Sequence, residues 1–395
     1  MRVILTLLLL PFLRSFLAAC SQYPFLQQEE ESENDALIAL HRILVSIPST
    51  SGNESAIAFF LRDYLKTQHL EVELQPVVPE AQSPTISSDP VEPAAQRYNV
   101  FAHPPGQRQT PVLLTSHIDT VPPHIPYSLR PPNEIWGRGT VDAKACVATQ
   151  IMAYSQLVRT GAIKADDVSL LFVVGEETGG VGMRTANGLG LAWKTVIFGE
   201  PTELKLASGH KGFLVFYVTT RGAGGHSGYP ELAESALDVM LVALAKLKQL
   251  EPRLPSSERF GATTVNIGML ESGDAPNVIP KRAVAGISVR IASEKPEAVK
   301  EMLLKALDEV DGKPEVQVWE GMYGPVAMDH DVPGFDTIVV KYGTDVPNLH
   351  GNHKKYLYGP GSILVAHSDH EHLRSTDLIE ALAGYKRLIR HALQK

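Results

Sequence analysis

His117 and Asp119 stand two residues apart in Thr115-Ser116-His117-Ile118-Asp119-Thr120-Val121, directly behind the apolar run Val112-Leu113-Leu114. Further along come Gly139-Thr140-Val141-Asp142, the pair Glu176-Glu177 behind an apolar stretch at 170–174, Gly199-Glu200-Pro201-Thr202, and Ala366-His367 near the C-terminus. Imidazole and carboxylate groups of this kind suit a hydrolytic zinc site, because Zn²⁺ takes His nitrogen and Asp/Glu oxygen and needs an open position for water. Each segment alone has an ordinary explanation. A single His after a strand is usually packed or hydrogen-bonded, and a Glu-Glu pair is usually a solvated turn. Glu200 could cap the turn at Pro201, and His370 and His372 compete with His367. It is the set, not any member, that points to an enzyme.

The elements that must position these groups alternate between strand and helix patterns. Residues 35–47 and 54–68 carry apolar side chains at helical spacing, with a break at Pro48-Ser49-Thr50-Ser51-Gly52 where Ser51 or Asn53 could cap the second helix. Strands are predicted at 72–77, 99–102, 112–116, 168–174 and 196–198, with a helix over 142–158. The continuous apolar runs read as buried parallel strands. Alternating strands and helices imply a doubly wound α/β layer with active residues at strand C-termini. The polar stretch 79–96 reads as a surface loop.

The pattern changes after Leu206. A strand at 213–220, helix 234–249, strands 263–270 and 283–291, helix 296–310 and strand 316–319 give the order βαββαβ of a ferredoxin-like module. His367 lies beyond it. The expected architecture is therefore a discontinuous α/β catalytic domain, built from 35–207 and 321–395, with an inserted α+β domain at 208–320.

At 395 residues and 43.0 kDa, with 44% hydrophobic and 20% charged residues, the chain can bury a large core. A net charge of −8 with no dense Lys/Arg face argues against nucleic acid as a partner. Met1-Arg2, an apolar stretch at 3–10 and Ala18-Ala19-Cys20 read as a signal peptide over residues 1–20. That implies secretion without stable membrane association. Leu17-Ala18-Ala19-Cys20 also resembles a bacterial lipoprotein signal. Cys20 and Cys146 are the only cysteines, and Cys146 is expected to be a packed, inert thiol. Asn53-Glu54-Ser55 is a glycosylation acceptor pattern.

The set His117-Ile118-Asp119, Gly137-Arg138-Gly139 with Asp142, Glu176-Glu177, Gly199-Glu200-Pro201-Thr202 and His367 with Glu371 resembles the M20 metallopeptidase family, in order and from about residue 35 onward. The resemblance implies two Zn²⁺ bridged by Asp142. One would be held by Asp142, Glu177 and His367, the other by His117, Asp142 and Glu200. Glu176, whose side chain diverges from that of Glu177 at a strand end, is then placed as the general base. Asp119 could accept the second ring N–H of His117 and fix its tautomer.

The resemblance also implies substrate groups. His226, in Gly222-Ala223-Gly224-Gly225-His226-Ser227, matches a loop whose histidine reaches the substrate or oxyanion, sometimes across a dimer; in isolation it is a His in a glycine-rich turn. Asn277 and Arg290 match carboxylate-binding positions, and an Arg fork suits that task. Gly361, in Gly359-Pro360-Gly361, matches a backbone loop approaching the substrate. One departure is visible: the family commonly reads Asp-Met-Lys-Gly where this chain has Asp142-Ala143-Lys144-Ala145, which should alter the pocket wall.

The expected protein is a secreted, di-zinc, carboxypeptidase-like exopeptidase acting on peptides. An aminoacylase acting on acyl amino acids is the alternative, since both reactions cleave an amide beside a carboxylate. A catalytically silent binding protein would normally have lost a ligand, and none is missing. The inserted domain could mediate a homodimer.

Overall fold

The computed structural model describes residues 33–78, 96–319 and 321–394. The expected signal peptide, the polar lead-in and nearly all of the 79–96 loop lie outside the described residues.

The first half alternates as the sequence patterns require. It runs α1 (Glu33–Ser46), α2 (Ser55–Thr67), β1 (Glu71–Val77), β2 (Arg97–His103) and β3 (Val112–His117). A ribbon of β4 (Ser128–Arg130) and β5 (Glu134–Trp136) precedes α3 (Lys144–Arg159), β6 (Val168–Val173), α4 (Val181–Ala186), β7 (Thr195–Gly199) and β8 (Leu206–His210). The insertion follows: β9 (Gly212–Arg221), β10 (Gly225–His226), α5 (Ala236–Leu250), β11 (Thr264–Ser272), β12 (Val278–Ile279), β13 (Arg282–Ile291), α6 (Pro296–Asp308) and β14 (Glu315–Val318). The chain then returns through β15 (Val326–Ala327), β16 (Thr337–Val340), β17 (Lys354–Tyr358), β18 (His372–Arg374) and α7 (Ser375–Gln394).

A six-stranded sheet in the order β1-β2-β6-β3-β7-β17 carries the first domain, with β6, β3, β7 and β17 parallel. Every residue of β3, β6 and β7 is buried, because both faces are covered. Side chains alternate between the two cores. Leu114, Leu170 and Ile197 pack under α1, α2, α3 and α7, whereas Leu113, Leu171 and Val196 pack on the opposite side. That second side differs from a full doubly wound layer. Its cover is the short α4 together with the small sheet β15-β8-β16, represented by Met183, Ala207 and Val340. α2 has Glu54 at its N-cap and no side-chain cap, so the capping expected of Ser51 or Asn53 is not made.

The insertion is an antiparallel sheet, β11-β13-β9-β14, with two helices on one face. Leu214, Phe216 and Val218 of β9 point toward α5 and α6, where Leu247 and Leu303 complete the core. Phe213 must therefore look the other way, as must its register partner Arg290 on β13. Among the described residues no helix is long and apolar enough to cross a membrane.

Candidate active site

The parallel strands end together along one edge of the six-stranded sheet, and two of the candidate ligands, His117 and Glu200, stand on or just after those ends. His117 is the last residue of β3, Glu200 follows β7, and His367 comes from the loop after β17. Asp142 lies just ahead of α3, and the peptide after it is cis. Glu176 and Glu177 are not at a strand end, as expected from the apolar run. β6 stops at Val173, and the two glutamates occupy a turn closed by Gly179 N–H to the Glu176 carbonyl at 2.9 Å. Gly175, Gly179 and Gly180 all take positive φ around this turn.

Two imidazoles from the two ends of the sequence meet at one carboxylate. His117 Nε2 lies 3.0 Å from Asp142 Oδ1, and His367 Nε2 lies 3.3 Å from Asp142 Oδ2. His367 is also 3.0 Å from Glu177 Oε2, and His117 is 3.9 Å from Glu200 Oε1. Ligand atoms of His117, Asp142 and Glu177 all fall within 4.8 Å of one another. His367 holds its place with φ of 60°, a conformation in which histidine is among the more tolerant side chains.

Asp119 orients this cluster in an unexpected way. Its main-chain carbonyl, at 3.0 Å, accepts the His117 Nδ1–H, while its carboxylate stands 3.6 Å from that nitrogen. The carboxylate instead accepts the backbone N–H groups of Glu176 at 3.0 Å and Glu177 at 3.2 Å, and the Ser51 hydroxyl at 2.7 Å. One residue thus fixes the ring tautomer and the glutamate turn together. Glu371 does similar work on the other side: Oε1 accepts the N–H groups of Val141 and Asp142, and Oε2 accepts Arg138 at 2.7 Å. The parts played by Ser51 and Glu371 were missed from sequence; the spacing of His367 to Glu371 was the available signal for the second.

The electrostatics fit a cation site. Burial, reinforced by the charge of Glu200, raises the Glu176 carboxyl well above its ordinary range. Burial likewise raises Glu200 and Glu177. Asp142 resists the same burial because His117 and His367 bond it, and it stays well below the usual carboxylate range. His367 is pushed up to about 10 by its bonds to Asp142 and Glu177. Burial opposes protonation of His117, yet the nearby Asp119 carboxylate and its bond to Asp142 hold it well above the ordinary value. Carboxylates that keep protons on two imidazoles this strongly can hold a divalent cation in their place, with both rings neutral as ligands. The His and Asp/Glu donors suit zinc.

A cavity of about 570 Å³ opens beside these groups, lined by Asp142, Glu176, Glu177, Glu200 and His367 on one side. The inserted sheet forms the other wall and contributes Arg290, whose guanidinium sits 4.4 Å over the Phe213 ring. The other expected substrate residues are not there. His226 and Asn277 are brought together on the exposed ribbon of β10 and β12, where Ser227 N–H bonds the Asn277 carbonyl at 3.1 Å, and neither lines the cavity. Gly361 also stays off the cavity wall: its carbonyl accepts Glu203 N–H at 2.9 Å, and a Cβ there would fall 2.9 Å from Val141. Ala143 and Ala145 are fully buried, so the departure from the family motif repacks the α3 base and leaves the wall untouched. Cys146 is packed as expected, and burial pushes its thiol up.

Comparison with known proteins agrees with this geometry. A peptidase dimerisation domain profile matches residues 208–314, and a peptidase family M28 profile matches residues 99–187. A probable carboxypeptidase of Aspergillus fumigatus is 46% identical over 399 residues, covering 91% of this chain and 87% of the relative. A peptidase M20 domain-containing protein of Sordaria macrospora is 43% identical, covering 93% and 87%. An M20 family metallo-carboxypeptidase from Sulfolobus solfataricus has the same fold at a TM-score of 0.69 and 17% identity, covering 93% of this chain and all of that one. With the fold, the metal-suited cluster and relatives of this similarity in agreement, the chain belongs to the M20 peptidase family and is a metallopeptidase.

Proposed function

We propose that the protein is a di-zinc carboxypeptidase that removes the C-terminal residue of peptides. The observation that carries this reading is the meeting of His117 and His367 on opposite oxygens of Asp142. The approach of His117 to Glu200 and of His367 to Glu177, on different oxygens of Asp142, supports two triads that share this carboxylate. Zn²⁺ in these triads would supply Lewis acidity to the amide carbonyl and acidify the attacking water. Glu176, on the cavity wall and with a raised pKa, is suited to take the water's proton and return it to the leaving nitrogen. Arg290 stands across the cavity and, among the described residues, has no carboxylate within ion-pair distance. It is therefore available to a substrate carboxylate.

Secretion belongs to the same reading, supported by the leader-like residues 1–20 and by the exposure of Asn53 in its acceptor pattern. N-terminal sequencing of the exported protein checks it. A homodimer through the inserted domain is supported by the dimerisation domain profile and by the exposed His226–Asn277 ribbon. His226 Nδ1 accepts Gly228 N–H at 3.0 Å, which leaves Nε2–H to face outward. Sedimentation should then give about twice the mass of one mature chain.

The deciding experiment pairs an N-blocked dipeptide with its C-terminal amide and with the N-acetyl amino acid. The free acid should be cleaved and the amide should fail, and Arg290→Ala should raise KM for the acid by about ten- to a hundredfold. Equal cleavage of acid and amide would remove the carboxypeptidase reading, and cleavage of the acetyl compound alone would make the enzyme an aminoacylase.

A further inference from the structure

The wall that the inserted domain turns toward the cavity is aromatic beyond what its own core needs. Phe213, Trp319 and Tyr323 all line the cavity, each half-buried, and none joins the cluster under α5 and α6. Large apolar side chains held at a cavity surface mark a binding surface more often than a packing accident.

Phe213 stands at the centre. Trp319 meets it edge-on at 6.5 Å and 65°, and Tyr323 lies 6.3 Å away at 45°. Trp319 is fixed from the catalytic domain as well. A Cβ on Gly179 would fall 2.6 Å from its ring, and the Arg184 guanidinium lies 5.1 Å from the ring centre. Gly343 gives way in the same manner, since a Cβ there would come 2.3 Å from the Tyr323 hydroxyl and 3.1 Å from Arg290. Backbone without side chains thus frames the aromatic group and Arg290 beside it.

We propose that Phe213, Trp319 and Tyr323 form the side-chain subsite for the leaving residue, and that the enzyme prefers peptides ending in Phe, Tyr or Trp. This rests on the carboxypeptidase reading. An α-carboxylate and its side chain branch from a single Cα. A carboxylate on Arg290, which itself lies on Phe213, therefore delivers the side chain into the neighbourhood of Trp319 and Tyr323. Rings meeting there edge-on or offset are favoured by their quadrupoles in addition to the apolar area removed from water. An acidic leaving residue would bring a second negative charge into a cavity whose described lining already carries the carboxylates of Asp142, Glu176, Glu177 and Glu200.

The test uses the full chain loaded with zinc and a panel of N-blocked dipeptides sharing one acyl residue and ending in Phe, Tyr, Trp, Leu, Ala, Glu or Lys. The expected kcat/KM for the aromatic members exceeds that for Ala by about tenfold or more. Trp319→Leu should reduce the Phe-to-Ala ratio by about fivefold, and Phe213→Leu should act in the same direction if the Trp319 variant does not fold. A flat panel, a preference for Glu or Lys, or an unchanged ratio in a folded Trp319→Leu protein overturns the subsite. Failure to cleave any member overturns the carboxypeptidase reading beneath it.

Discussion

Glu176 and Glu177 are adjacent in the chain and are asked to do different things. Asp119 separates them by holding both backbone N–H groups, which lets Glu177 turn to His367 while Glu176 faces the cavity. The raised pKa of Glu176 comes from burial and from Glu200, and it suits a group that must pick up a proton and give it back. Glutamine keeps the shape of this side chain and removes its basicity. Glu176→Gln is expected to lower kcat by about a hundred- to ten-thousandfold. Because Asp119 grips the main chain and the metal-suited side chains are untouched, metal content should stay at the wild-type value. Elemental analysis beside steady-state kinetics checks both halves. Loss of metal would make Glu176 a ligand, and retained turnover would remove it as the base.

At the scale of elements, the site depends on short segments clamped between strands. Glu54, just ahead of α2, is fully buried and grips Arg97 at the start of β2 with bonds of 2.6 and 2.9 Å. The same guanidinium would be 2.5 Å from a Cβ on Gly175, so the pair braces the turn that carries Glu176. Burial raises the Glu54 carboxyl, with Arg97 opposing. Arg97→Ala strands that carboxylate and should cost about 3–5 kcal/mol of stability, measurable by denaturant unfolding. A loss under 1 kcal/mol would show the pair to be dispensable. Neither Glu54 nor Arg97 was legible in the sequence as a partner of the other, since they are joined only by the packing of α2 on β2. The strands and most helices were legible, because β3, β6 and β7 are built around the apolar runs 112–114, 170–173 and 196–198, and α1 and α2 each bury one apolar stripe. His117 and Glu200 followed from their places behind such strands. His226 and Asn277 did not, because the sequence gives no measure of how far the β10–β12 ribbon stands from the sheet edge. The two alanines after Asp142 misled for a related reason: the direction of a side chain at a helix start depends on the turn before it.

At the scale of the molecule, two buried histidines tie distant parts together in neutral form. His41 on α1 donates from Nε2 to the Thr140 carbonyl at 3.0 Å, and among the described residues its Nδ1 has no partner. His210, at the junction with the inserted domain, bonds the Lys211 carbonyl through Nδ1 at 2.6 Å and meets Thr344 Oγ1 at 3.1 Å through Nε2. Burial lowers both pKa values to about 4. In the unfolded chain each would titrate near 6.5. Between those values the unfolded state binds more protons, so folding stability rises with pH across the window. The contribution is complete above about pH 6.5 and is lost as pH falls toward 4, amounting to about 3 kcal/mol for each ring. Buried carboxyls with raised pKa, Glu54 among them, act with the opposite sign, so the net curve alone does not isolate the histidines. The difference between wild type and His41→Gln does. Glutamine can keep the donor to Thr140 without acquiring a charge, and the variant should lose less stability than wild type between pH 6.5 and 4. Parallel urea titrations at half-unit steps give that difference directly. Coincident slopes for the two proteins would mean that His41 is already charged, or already hydrated, in the fold.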